Sequence, residues 1–159
     1  MNDAGKGALP SARRRVDPYE AGMNAGGKPN IVSRTRIHGR VVAVLTSKRD
    51  ARSLQLIHPW TRCVLQHEVH ELLMTDEADA APGGTVNRVA AIAFVEFACS
   101  GLIMGTDRVV IGGRDVGAIL GFDETHCPNH INIVLRGPER KTGLEWGIKG
   151  DDIVELVIS

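Results

Sequence analysis

Between Gly121 and Asn132 the chain gathers Asp123, Glu124, His126, Cys127, Asn129, His130 and Asn132, which include two of its six histidines. A turn that only joined two strands would be made of Gly, Asn, Asp and Ser. It would have no use for two imidazoles. On a helix, the i, i+4 spacing of His126 and His130 would place both rings on one face, as in zinc-binding HExxH segments. Pro128 stands between them and is incompatible with a helix interior. The pair is therefore expected on a loop running into a strand at 131–135. In that strand His130, Asn132 and Val134 share one face, opposite Ile131, Ile133 and Leu135. Two imidazoles on a loop suit an open metal site or an acid–base pocket. Hydrogen bonding of both rings to loop backbone is the plainer alternative.

A second group is His67-Glu68-Val69-His70-Glu71. On a strand, His67 and Glu71 share one face, and Glu68 and His70 the other. Either face offers the imidazole and carboxylate mixture that Zn²⁺ or Fe²⁺ accepts. The face with Val64, Leu72 and Met74 has apolar side chains to bury, so Glu68 and His70 are the expected ligands, joining His126 and His130. A polar strand exposed to solvent is the competing reading.

Glu96 lies in the apolar run Ala93-Phe94-Val95-Glu96-Phe97-Ala98. A buried carboxylate is costly unless paired, ligated or protonated. The functional expectation makes Glu96 the general base; the bland one pairs it with an arginine. Asp123 and Glu124 complete the expected catalytic set. Asp123 either orients His126 as carboxylates behind ligating histidines do or serves as an Asx-turn acceptor.

The elements that must position these groups read as strands. Residues 37–45 are rich in valine, and 52–57 alternates Leu54 and Leu56 with Ser53 and Gln55. Residues 61–74 suit one long strand or a strand running into a helical turn. Residues 85–97 are apolar on both faces and are expected to form a doubly covered central strand, with Val89, Ala91, Ala93, Val95 and Phe97 on one side. Residues 108–111 and 152–158 are further strands, and 116–120, bracketed by Gly117 and Gly121, is expected to be a short helix. Gly105-Thr106-Asp107-Arg108-Val109 is echoed by Gly150-Asp151-Asp152-Ile153-Val154, as a pseudo-symmetric barrel or two turns of one chemistry would produce. The fold expected is mostly β, a compact small barrel or sandwich with one or two short helices, over residues 34–159. Residues 1–33, with five of the eighteen glycines and three of the seven prolines, are expected to be a disordered or extended tail.

Formal net charge is zero over 159 residues, and aromatic content is 4%. Neither a basic footprint nor a stacking platform for nucleic acid is indicated. The glycine-rich runs match neither GxGxxG nor GxxxxGK[ST], so no nucleotide cofactor is expected. Three scattered cysteines without a CxxC pair, and no export signal or apolar span, point to a reduced, cytoplasmic protein without a membrane partner. The function expected is a small-molecule enzyme of lyase, isomerase or hydrolase type acting on a small polar metabolite. Zn²⁺ or Fe(II) would be its Lewis acid. The alternatives are a metal-free acid–base enzyme with the same pocket, or a non-catalytic ligand-binding or structural module. Self-association into a homo-oligomer is compatible with each.

Overall fold

The computed structural model describes residues 33–159, so the expectation for the first 33 residues falls, but for Ser33, outside the described part. The described residues form strands and turns with no helix, and no helix among them is long and apolar enough to cross a membrane. The strands are β1 (Ile37–Val44), β2 (Lys48–Arg49), β3 (Leu54–Gln55), β4 (Thr61–Val64), β5 (Val69–Thr75), β6 (Thr85–Val86), β7 (Val89–Phe97), β8 (Gly101–Met104), β9 (Arg108–Ile111), β10 (Arg114–Asp123), β11 (Asn132–Arg136) and β12 (Ile153–Val157).

The main sheet runs β1-β12-β9-β10-β11-β5-β7-β2, and β1 also pairs with β7. β11 lies parallel to β5, and the other pairings are antiparallel. Two short pairs, β3–β6 and β4–β8, stand apart from it. The expected strand over 61–74 is thus two strands, β4 and β5, divided by a turn at His67, whose φ is +70°.

The short helix expected at 116–120 is overturned: those residues lie inside β10, paired with β9 and β11. Val116, Ile119 and Phe122 all enter the core, a spacing of three that imitates a helix. Two register shifts, at Asp115/Gly117 and Ile119/Gly121, produce it. Each inserts a residue and turns the following side chains over. Gly117 takes φ +141°, and a Cβ there would lie 2.6 Å from the Arg136 carbonyl oxygen, so only glycine fits.

A shift in β7 also corrects its expected faces. At Leu72/Leu73 the β5–β7 register slips. Ala90, Ile92, Ala93, Val95 and Phe97 therefore share one core, while Val89 and Ala91 join the other. The larger core collects Ile37, Val41, Leu72, Met74, Ile111, Ile133 and Leu135. The smaller lies on the opposite side, where Leu54, Leu56 and Val86 pack on Leu73, Val134 and Leu120. Phe94 and Glu96 stay on the outer side, opposite Glu71 and Val69 of β5.

The echoed pentapeptides share turn chemistry. Thr106 and Asp151 both have positive φ, +83° and +65°. The following aspartate accepts a hydrogen bond from the backbone N–H three residues before it: Met104 to Asp107 at 2.9 Å, Lys149 to Asp152 at 2.8 Å. The strands they start, β9 and β12, pair with each other.

Candidate metal and substrate site

The loop between β10 and β11 closes as a tight turn, not a helix, with the Cys127–Pro128 peptide cis. The His126 carbonyl accepts from Asn129 N–H at 2.9 Å and from His130 N–H at 3.3 Å. Pro128 has no N–H to offer and none is required at its place in the turn. The turn brings the two rings together, stacked with centroids 4.8 Å apart and planes 26° apart.

The base of the loop is tied down by Asp123, which is 1% exposed. Its carboxylate accepts from Gln55 N–H (2.9 Å), Thr125 N–H (3.1 Å), the Thr125 hydroxyl (3.0 Å) and the Asn132 amide (2.8 Å). These bonds join β3, the loop and β11, and none goes to His126. Glu124, exposed, forms an ion pair with Arg62 of β4.

The group that the histidines approach is Glu71. One ligand atom from each of Glu71, His126 and His130 lies within 4.8 Å of the other two, and all three residues are partly buried. His130 Nε2 is 3.6 Å from Glu71 Oε2, too long for a hydrogen bond, and has no hydrogen-bond partner among the described residues. The ring is held by Phe94, edge-on at 5.2 Å, and by Asn129, whose amide lies 2.9 Å from Nδ1. Turning that amide over would let its oxygen accept an Nδ1 proton, leaving the Nε2 lone pair free. Asn132, the register partner of Glu71, is fully buried and its Oδ1 also has no partner among the described residues. Arg52 donates to His126 Nε2 at 3.1 Å. Beside this cluster a cleft of about 470 Å³ is lined by residues including Arg49, Arg52, Glu71 and Leu73.

His70 and Glu68 lie elsewhere. His70 points to the larger core beside Phe97, centroids 5.8 Å apart. Its Nδ1 accepts from Ile131 N–H at 3.3 Å, and its Nε2 meets Glu68 at 3.1 Å. Burial lowers the His70 pKa against the opposing pull of Glu68. Desolvation works to raise Glu68, but the Leu65 N–H and His70 outweigh it and hold the carboxylate low. Both ring nitrogens of His70 are thus engaged, and the pair fastens β5 to the start of β11.

Glu96 lies on the outer side, where His67 (3.1 Å) and Arg40 (2.8 Å) hold its carboxylate below its ordinary pKa. The structure therefore unites His126 and His130, and places Glu68, His70, Glu96, Asp123 and Glu124 in other contacts. Glu71 and Arg52 complete the cluster. Glu71 was visible in the sequence as the alternative face of β5. Arg52 carried no signal, because only the folded loop brings it to His126.

A fold built of strands over the described residues, with a two-histidine, one-carboxylate cluster on one side of its sheet, is the class these observations define. The chain matches the family described as "Family of unknown function (DUF6917)" over residues 31–157 and belongs to it. No curated protein and no solved structure matches it.

Proposed function

We propose that Glu71, His126 and His130 bind one divalent metal ion, Zn²⁺ or Fe²⁺, and that the chain is a metal-assisted enzyme acting on a small polar metabolite. The convergence of the three ligand atoms within 4.8 Å carries the reading. Two donors bonded to one tetrahedral zinc at ~2 Å stand about 3.3 Å apart, so side-chain movements of about 1–1.5 Å would complete the shell. The unpartnered Nε2 of His130 supports it, since a buried acceptor without a partner costs about 1–3 kcal/mol.

Three protein ligands leave coordination positions for water or substrate. The ion would polarise a carbonyl or lower the pKa of a bound water, chemistry shared by hydrolases, lyases and isomerases. Asn132 and Arg52 would border the open side, while Asp123 and the Glu68–His70 pair would hold the loop and strand that carry the ligands. The ring of pairings through β1 and β7 supports a small barrel as the scaffold, and three free cysteines support a reducing, cytoplasmic setting.

The Arg52–His126 hydrogen bond favours a second reading, a metal-free pocket in which the two imidazoles transfer protons. Elemental analysis of untagged protein separates the two. About one Zn or Fe per chain, lost in His130→Ala, supports the metal enzyme. A metal-free chain that gains no thermal stability from added Zn²⁺ or Fe²⁺ leaves the acid–base reading.

A further inference from the structure

We infer that the cleft beside the His/Glu cluster binds an oxyanion, so that the substrate carries a carboxylate or phosphate held by Arg52 with help from Arg49. The inference rests on the metal-site reading for its catalytic meaning, but the anion site itself stands on the arginines. Arg34, Arg62 and Arg140, the other partly buried arginines, each meet a carboxylate: Asp107, Glu124 and Asp50. Arg52 is partly buried as well, yet no carboxylate lies within salt-bridge distance of it among the described residues. Its side chain donates to a ring nitrogen instead. A guanidinium partly withdrawn from water without a counter-charge is disfavoured, and its planar fork matches two oxygens of a carboxylate or phosphate.

The setting is that of a binding cleft. Arg52 and Arg49 line the same cavity of about 470 Å³, together with Ser47, Ala51 and Glu71. Arg49 likewise has no carboxylate partner among the described residues; its carbonyl is taken by Arg140, which holds the 47–52 segment in place. Glu71 is the one carboxylate in the lining, and a divalent ion on it would leave the cleft net positive. An anionic group on the guanidiniums would thus sit next to the metal, and the rest of the substrate could reach the open coordination positions.

Calorimetric titration of the Zn²⁺-loaded, untagged protein with inorganic phosphate, and separately with malonate, tests the inference. At low ionic strength the wild type should bind at least one of them with a millimolar or tighter Kd. Arg52→Gln should weaken that binding at least tenfold with zinc content unchanged. Arg114→Gln, which alters an exposed arginine outside the cleft, should leave it as it was. A response to phosphate alone assigns a phosphate-bearing substrate, and a response to malonate alone a carboxylate. No binding of either by the wild type, or equal binding by Arg52→Gln, overturns the inference. If the chain takes up no zinc, the metal reading fails separately. The same titration of the metal-free protein then decides the anion site: Arg52-dependent binding upholds it and its absence overturns it.

Discussion

His126 and His130 stack ring on ring, their centroids 4.8 Å apart, because a tight turn closes between the carbonyl of the first and the amide of the second. Two ring nitrogens are thereby delivered to the side of the sheet where Glu71 stands. The scaffold behind them is unusually polar for buried structure: Asp123 below the loop, His70 below the start of β11. Each satisfies backbone donors that would otherwise be orphaned by the turn.

Asp123→Ala should be among the most damaging single changes. It takes their acceptor from four donors, on Gln55, Thr125 and Asn132, of which the Asn132 amide is buried and the others partly so. A loss of about 2–4 kcal/mol is expected, together with at least a tenfold fall in metal affinity as the loop loosens. Urea denaturation and zinc titration of the variant check both. Stability within ~0.5 kcal/mol of wild type would show that the carboxylate does not anchor the loop.

Gly117→Ala should cost about 2–3 kcal/mol, since it combines positive φ with a collision at the Arg136 carbonyl. Gly113→Ala is the comparison: its φ of +78° is also unfavourable for alanine, but nothing lies near its Cβ position. Thermal melts should rank the first variant well below the second. Equal melting would mean that β10 accommodates the methyl group by shifting.

Glu145 supplies a pH prediction. Lys48, then the Thr142 N–H, hold its carboxylate down to about 2, against an ordinary 4.5. Thr142 and Glu145 also exchange hydrogen bonds across their turn, and Lys48 leads into the segment lining the cleft. A carboxylate with a depressed folded-state pKa stabilises the fold above its unfolded value and loses that contribution as pH falls through the folded one. Stability should thus decline between about pH 4.5 and 2, and Glu145→Gln should flatten that part of the curve. A carboxyl NMR titration placing the Glu145 midpoint near 4.5 would contradict the contact.

The strand content was legible because alternation in 52–57 and apolar runs in 37–45 and 85–97 are direct consequences of sheet geometry. The helix expected at 116–120 arose from the same rule. Register shifts at two places gave Val116, Ile119 and Phe122 a spacing of three, and a bulge is settled by pairing across strands rather than by local sequence. In 67–71 the alternation identified two faces but not which one meets the 121–132 loop. Burial of Leu72 and Met74 does place His70 inward, yet the histidine loop lies against the other face, beside Glu71. Parallel pairing of β5 with β11, Glu71 opposite Asn132, decides this. It is a long-range contact that no periodicity encodes.

The central claim is that Glu71, His126 and His130 hold one metal ion, and titration of Zn²⁺ into chelator-treated, untagged protein tests it most directly. The wild type should take up about one Zn²⁺ per chain and melt at a higher temperature when loaded. Glu71→Gln and His130→Ala should each lose at least tenfold in affinity, whereas Glu96→Gln, whose carboxylate is engaged by His67 and Arg40 instead, should bind as the wild type does. No saturable uptake by the wild type, or uptake unchanged in both ligand variants, would contradict the account.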